Sequence, residues 1–256
     1  MYYSIDRFIP SLTVELIVNI GVAILSAVVS YLLGAISFTR IITHILAPNL
    51  DLENVKLPNA DGSEGDTLLT VGATTAAIKL GSRVGCAIGL LDILKAFIPT
   101  LVFKLLYPDQ YYFLIASVFA VIGHTWPVYY RFKGGGGMSP ALGGFLAVDW
   151  MGTLVANVLG MFLGFAVVRD LFFAYVGWTW LMIPWLWIRT KDPVYGIYAL
   201  AVNIAFFLAL VPEIKRYLEA RKRGEIDMQQ GMEVTPMGHG MLKMARKLGF
   251  FKEKKD

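Results

Sequence analysis

A run of four glycines directly follows a lysine in the middle of the chain. Lys133 precedes Gly134, Gly135, Gly136 and Gly137 within the stretch GHTWPVYYRFKGGGGMSPALGG. Backbone N–H groups that no side chain shields can converge on an anion, and a helix predicted to begin near Pro140 would add its positive dipole end. The pattern therefore predicts a phosphate-binding loop, with a flexible hinge or tight turn as the alternative. It is not a Walker loop, because no Gly-Lys-Ser/Thr closes it.

Three further polar positions lie in otherwise apolar surroundings. Asp92 and Lys95 are three residues apart in a predicted helix, so their side chains face the same side and can pair. This pair is either structural or an aid to binding a substrate phosphate. His124 lies just before Trp126-Pro127, and we interpret it as a supporting histidine bonded to a neighbouring helix.

The elements that would position these residues are membrane-spanning helices. Hydrophobic residues make up 56% of the 256 residues and charged residues only 16%, with a mean hydropathy of +0.59. A soluble domain carries about 25% charged residues, whereas about 17–25 apolar residues span a bilayer. The sequence therefore predicts an all-α polytopic membrane protein. The predicted spans are Leu12–Phe38, Val84–Tyr107, Tyr111–Tyr130, Pro140–Asp149, Thr153–Val168, Leu171–Ile188 and Val194–Pro212, with a short interfacial helix over Gly72–Leu80.

The number of spans depends on Pro140–Asp149, which is short enough to be half of a tight helical hairpin. With it there are seven spans, and without it six. Eleven Lys and Arg residues follow residue 212, and such a tail prefers the cytoplasm. Seven spans put the N-terminus outside and most remaining basic loops inside, so the distribution of charge favours seven in a plasma membrane.

Two regions lie outside this membrane domain, which we assign to residues 1–212. Residues 48–67 are polar and form an insertion, and residues 213–256 form a basic cytoplasmic tail. The tail is either solvated or partly an interfacial helix around residues 242–251. Anionic lipid headgroups are its expected partners, and nucleic acid is not expected. The single cysteine, Cys86, excludes an intrachain disulfide.

Several motifs together resemble the bacterial acyl-phosphate:glycerol-3-phosphate acyltransferase family. Its central motif reads Gly-His-x-Phe-Pro-Val and then Phe-Lys-Gly-Gly-Lys-Gly, and this chain has a similar pattern from Gly123 to Gly137. LLDILKAFIP at Leu90–Pro99 resembles a second family segment. Further matches are Tyr31-Leu32-Leu33-Gly34, Gly72-Ala73-Thr74 and, more weakly, Ile214-Lys215-Arg216 with Gly224-Glu225.

The resemblance implies acyl transfer from acyl-phosphate to the 1-hydroxyl of glycerol-3-phosphate, or to a related phosphorylated acceptor. It implies no metal and no other cofactor, membrane lipid as product, and seven spans with cytoplasmic motifs. Thr74, Lys79 and Lys95 are candidate phosphate ligands in addition to Lys133 and Gly134–Gly137, which we call the glycine loop. Thr74 could instead bond to its own helix. No catalytic residue is assigned, and a larger membrane complex is a further expectation.

The chain departs from the family pattern at polar positions. Hydroxyl, guanidinium, ammonium, imidazole and amide groups, which position phosphates and move protons, are missing together. These departures favour a second hypothesis, a catalytically silent lipid- or phosphate-binding relative or complex subunit. Transport is a weaker alternative, because the spans lack repeated polar interruptions. The substituted positions are Thr75 for Asn, Ile78 for Arg, Gly136 for Lys, Leu210 for His, Glu213 for Asn and Phe172 for Ser, with Lys79 one position after the missing Arg.

Overall fold

The computed structural model describes residues 5–53, 55–58, 64–67, 70–168 and 171–222, with the isolated residues 243, 247 and 249. Within these ranges the chain forms eight α-helices and a small sheet. The helices are α1 (Ile5–Gly34), α2 (Phe38–Leu46), α3 (Ala73–Leu80), α4 (Ser82–Leu106), α5 (Tyr112–Thr125), α6 (Met138–Phe162), α7 (Leu171–Thr190) and α8 (Pro193–Lys222). A 3-10 turn spans Val128–Tyr130, and a π-helical turn at Leu163–Val168 follows α6.

The long helices present apolar side chains outwards, as a helical membrane protein does. Leu105 and Ile188 are more than 70% exposed, which would be costly in water and is favourable against lipid. Within the described ranges, five helical segments are long and apolar enough to cross a membrane. They are Asn19–Leu46, Ser82–Leu106, Tyr112–Tyr130, Met138–Val168 and Pro193–Pro212. The predicted class, a helical polytopic membrane protein, is therefore confirmed.

Three details of the predicted elements need correction. The polar insertion contains an antiparallel pair of strands, β1 (Lys56–Pro58) and β2 (Glu64–Thr67), so the chain is not purely α. The helix of the first predicted span, α1, ends at Gly34 rather than Phe38, and the Ser37 hydroxyl caps a separate helix, α2, by accepting the Arg40 N–H at 3.3 Å. Helix α8 continues beyond the predicted last span, through Pro212 to Lys222. The helix predicted around residues 242–251 lies outside the described ranges, apart from the three isolated residues.

Helix α6 reverses direction at Asp149, whose φ of −149° and ψ of 89° are not helical. Phe145, before the break, stacks edge-on with Trp178 of α7 at a centroid distance of 5.8 Å. Gly160, after the break, is so close to Trp178 that a Cβ there would lie 2.6 Å from the tryptophan backbone nitrogen. In one straight helix these positions would be about 22 Å apart. The two arms, 138–148 and 150–162, therefore form the predicted helical hairpin.

Glycines allow α1 and α5 to pack closely, and this packing positions the end of α5 where the glycine loop begins. A Cβ on Gly34 would overlap the Ala120 carbonyl, and one on Gly123 would overlap the Tyr31 carbonyl. The Tyr31 hydroxyl also donates to the Trp126 carbonyl at 2.8 Å. Two of the sequence motifs, one around Gly34 and one around Gly123, thus meet at a helix crossing.

Candidate functional site

The glycine loop joins α5 to the hairpin of α6 and is shaped by a tight turn. Pro127 accepts hydrogen bonds through its carbonyl from the N–H groups of Tyr130 and Phe132, at 3.1 and 3.0 Å. Arg131 and Phe132 both have left-handed backbones, with φ of 51° and 61°. Such conformations cost about 1–3 kcal/mol each in non-glycine residues, so the surrounding contacts must hold the turn in place. The turn delivers Lys133 to the exposed side of the loop.

His124 forms the floor of the loop. Its carbonyl accepts the N–H of Gly135 at 3.1 Å, and a Cβ on Gly135 would overlap its ring nitrogen Nε2. The Gly135 amide is therefore engaged by the protein, and the predicted anion nest cannot include it. Within the described ranges, the N–H groups of Gly134, Gly136 and Gly137 have no protein acceptor. These three amides are candidate donors to a ligand; Gly134 and Gly136 are half-buried and Gly137 is buried.

Two helices begin beside this loop, and both have a glycine at the N-cap, which offers no side-chain cap; in α3 the Thr75 hydroxyl accepts the Gly72 N–H at 3.4 Å. Helix α6 starts after Gly137, whose φ of 86° favours glycine. Helix α3 starts after Gly72, where a Cβ would lie 3.8 Å from the Gly135 α-carbon. The Val71 N–H donates to the Gly134 carbonyl at 3.0 Å and fastens this start to the loop. Two positive dipole ends thus lie at the glycine loop.

The two candidate ligands in α3 occupy different ends of that helix. Thr74 is exposed in the first turn, next to the glycine loop. Lys79 is also exposed, but it lies five residues further along, about 8 Å along the helix axis. Of these two residues, only Thr74 therefore has its backbone next to the glycine loop.

A carboxylate from the polar insertion bridges the cations beside the loop. Glu53 lies 3.1 Å from Lys133 Nζ and 3.3 Å from Arg40 Nη2. Arg40 Nη2 also donates to the Lys133 carbonyl at 3.3 Å, and its guanidinium lies 5.1 Å from the centre of the Tyr130 ring. The hydrogen bond from Lys133, followed by its positive charge, lowers the pKa of Glu53 below the usual 4.5, so this carboxylate is ionised at neutral pH.

The predicted Asp92–Lys95 pair is present and buried beneath the loop. Lys95 Nζ lies 2.9 Å from Asp92 Oδ1 and donates to the Ile36 carbonyl, between α1 and α2, at 2.6 Å. His124 Nδ1 is 3.7 Å from the same Asp92 oxygen. Because Lys95 is only 7% exposed and bound to protein groups, its geometry favours the structural reading of the pair over direct phosphate binding.

Two of the positions that depart from the family pattern contact each other in the structure. Gly136 and Leu210, at the positions of the missing lysine and imidazole, face each other: a Cβ on Gly136 would lie 3.3 Å from Leu210 Cδ2. Thr75, at the position of the missing amide, is buried and donates to the Thr70 carbonyl at 2.8 Å. Ile78 is half-buried. The side chains of Phe172 and Glu213 lie outside the described part of the chain.

Arg40 and Glu53 are the two residues at the loop that the sequence did not identify as site residues. Arg40 follows a capping serine in the amphipathic stretch FTRIITHIL, a signal for an interfacial helix that does not point to a site. Glu53 lies in a polar insertion without a recognisable motif. Both residues reach the loop through contacts to Lys133, which lies 80 residues from Glu53 and 93 from Arg40 in the chain, and no local pattern encodes such contacts.

Taken together, the fold and the loop define an integral membrane protein with a glycine loop between two helix N-termini and basic side chains. A family model for glycerol-3-phosphate acyltransferase matches residues 24–220. Since this match covers most of the chain, the protein belongs to the glycerol-3-phosphate acyltransferase family.

Individual relatives agree with this assignment. The chain is 38% identical over 125 residues to a glycerol-3-phosphate acyltransferase of Pseudothermotoga lettingae, covering 49% of this chain and 56% of that protein. It is 35% identical over 128 residues to one of Aquifex aeolicus, covering 50% and 60%. The matched region thus spans little more than half the length of these curated relatives.

Two solved structures share the fold. Both are of PlsY (YgiH), an integral membrane glycerol 3-phosphate acyltransferase. The glycerol 3-phosphate form has a TM-score of 0.64 and 29% identity, and the lysophosphatidic acid form has a TM-score of 0.62 and 26% identity. Each similarity covers 78% of this chain and 93% of the other.

Proposed function

We propose that the protein transfers an acyl group from acyl-phosphate to the 1-hydroxyl of glycerol-3-phosphate and so forms lysophosphatidic acid. The hydroxyl oxygen attacks the acyl carbonyl, an ester C–O bond forms, and the bond between the acyl carbon and the phosphate oxygen breaks. The hydroxyl proton leaves with the released phosphate, so the step balances without a third reactant. Both substrates carry phosphate, and the acyl tail would lie along apolar helices.

The observation that carries this proposal is the arrangement around the glycine loop. Three glycine amides with no acceptor in the described part of the chain and the starts of α3 and α6 lie at this loop, next to Lys133, whose ammonium lies 3.1 Å from Glu53. Amides and helix starts bind phosphate oxygens, and preorganised donors stabilise charge that develops in a transition state. Relatives named as glycerol-3-phosphate acyltransferases support the choice of substrate.

The position of the glycine loop relative to the membrane suits an acyl donor whose tail is anchored in lipid. Helix α5 has 14 residues and the first arm of the α6 hairpin 11, which correspond to about 21 and 16 Å. The hydrocarbon core of a bilayer is about 30 Å thick. Because both helices are shorter than this, the loop can lie at the inner interface, where water reaches Lys133 and the head of an acyl-phosphate can reach the loop.

We further propose seven membrane crossings in the plasma membrane, with the N-terminus outside and the C-terminus in the cytoplasm. The crossings are α1, α4, α5, the two arms of the α6 hairpin, α7 and α8. The hairpin supports this number, since its two arms run in opposite directions. Arg189, whose position outside conflicts with the positive-inside rule, binds Asp149 at 2.8 Å, and this ion pair offsets its charge.

Labelling of introduced cysteines tests this topology in a background where Cys86, the only native cysteine, is replaced by serine. Cysteines at Asp109 and Lys191 are expected to react with a membrane-impermeant thiol reagent added to intact cells, because both loops lie outside. A cysteine at Lys133 is expected to react only after the membrane is opened. Protection at 191 together with reaction at 133 in intact cells would overturn the seven-span topology.

A second candidate function is that of a phosphate- or lipid-binding relative without catalysis. The Gly136–Leu210 contact favours it, since an apolar side chain closes the space where the family pattern has an ammonium and an imidazole. Under this alternative, the loop would bind phosphate without positioning a second reactant. A role within a larger membrane complex would then follow, as the sequence also led us to expect.

Purified protein with acyl-phosphate and labelled glycerol-3-phosphate distinguishes the two functions. We expect lysophosphatidic acid to form, and Lys133→Gln to lower kcat/KM about five- to tenfold because a charge-assisted contact to phosphate is lost. The factor is modest because Lys133 is 67% exposed and solvent screens its charge. Binding of glycerol-3-phosphate without any product would favour the silent relative.

A further inference from the structure

We propose, on the basis of the proposed function, that Glu53 is a built-in counter-ion that occupies the phosphate site and competes with the phosphate of the substrate. Its carboxylate lies within 3.3 Å of both Lys133 and Arg40, and these two cations flank the glycine loop. A carboxylate and a phosphate oxygen make the same charge-assisted contacts to such cations. A bound phosphate and Glu53 would therefore compete for the same donors.

The segment that carries Glu53 is docked independently of these ion pairs. Leu52 on one side is 8% exposed, and Val55 two residues after Glu53 is fully buried. The Glu53 N–H also donates to Asp51 Oδ1 at 2.8 Å, which shapes the turn. Because apolar side chains anchor the segment, Glu53 is held at the loop even though its own contacts are weak. Packing of the neighbouring side chains therefore fixes the backbone of Glu53 beside the loop.

The contacts themselves are weak enough to exchange. The side chains of Glu53 and Lys133 are 46% and 67% exposed, and ion pairs with this much solvent are screened and stabilise little. A phosphate that also reaches the glycine amides and the helix starts can displace the carboxylate from the lysine. Glu53 can swing away by side-chain rotation alone, since its backbone is anchored. Lys133 and Arg40 thus share Glu53 as a counter-ion when the site is empty, and they can accept a dianion when one arrives.

Anion binding to the full-length protein in nanodiscs tests this role, with Glu53→Gln as the variant. Glutamine keeps the shape of the side chain and removes its charge. We expect Glu53→Gln to bind inorganic phosphate and glycerol-3-phosphate about three- to tenfold more tightly than the unchanged protein in titration calorimetry. The matched control is Glu219→Gln, the same chemical change at an exposed position of α8, nine residues or about 13 Å beyond Leu210. It is expected to change neither affinity by more than about 1.5-fold, because removing one distant, screened charge has little effect.

The outcomes separate this role from the proposed function. Equal or weaker phosphate binding by Glu53→Gln would overturn the counter-ion role and show that Glu53 instead orients the lysine or does nothing there. If Glu53→Gln tightens binding of inorganic phosphate while no form of the protein binds glycerol-3-phosphate, the counter-ion role stands and the proposed substrate is wrong. If no form binds either anion, both proposals fall. An equal gain in Glu219→Gln would attribute the effect to net charge and overturn the role of Glu53.

Discussion

Replacing Gly135 with alanine is expected to weaken glycerol-3-phosphate binding about ten- to a hundredfold. The added Cβ would overlap Nε2 of the buried His124, so the loop must move away from its floor. Movement would misplace the neighbouring amides that face the ligand. Each charge-assisted hydrogen bond contributes about 1.5–3 kcal/mol, and about 1.4 kcal/mol is a factor of ten in Kd. Titration calorimetry on the purified protein measures the change.

The adjacent glycine provides the comparison for this experiment. A Cβ on Gly136 would meet only the flexible end of Leu210, at 3.3 Å, and a small adjustment of that side chain accommodates it. Gly136→Ala is therefore expected to weaken binding severalfold less than Gly135→Ala. Gly143→Ala serves as a folding control, because its Cβ would overlap the Ile93 carbonyl between α4 and α6. If correctly folded Gly135→Ala protein binds with unchanged affinity, the glycine run is only a hinge.

Replacing Asp149 with alanine is expected to destabilise the protein by about 2–4 kcal/mol. The Asp149 carboxylate accepts hydrogen bonds from Gly152 N–H at 3.1 Å, from Trp185 Nε1 at 2.9 Å and from Arg189 at 2.8 and 2.9 Å. Loss of a helix cap costs about 1 kcal/mol and an unpaired buried donor about 1–3 kcal/mol. The ion pair adds less, because the Arg189 side chain is 45% exposed.

Thermal unfolding in detergent measures this loss, which corresponds to a midpoint about 5–15 °C lower. Asp109→Ala, the same change at an exposed position between α4 and α5, is expected to shift the midpoint by less than about 2 °C. Asp149→Asn keeps an acceptor for Gly152 and should fall between the two. An unchanged midpoint for Asp149→Ala would mean that the hairpin does not depend on this cap. Lys104, which donates to the carbonyls of Ala147 and Val148 at 2.9 and 2.8 Å, would then be its main support.

The amino-acid sequence by itself determined the class of protein and most of its helices. Long apolar stretches with few charges are stable only in lipid, so hydropathy alone identifies the helices that cross it. The same pattern predicted the short arm before Asp149 as half of a hairpin, and the pairing of Asp92 with Lys95 followed from helical spacing. The glycine run also indicated where backbone would be exposed. Each of these features depends on residues that are close together in the sequence, so the sequence alone is sufficient to predict it.

Only the tertiary structure decided what surrounds the glycine loop. The engagement of the Gly135 amide by His124, the contact of Gly136 with Leu210, and the bridge from Glu53 to Lys133 join residues that are 11 to 80 positions apart. A polar insertion has no periodic pattern that would indicate where its carboxylate docks, and one glycine in a run looks like the next. Helix packing brings distant side chains together, and these contacts decide which glycine amide has an acceptor and which cation has an ion-pair partner. Neither property can be predicted from one residue and its neighbours in the sequence.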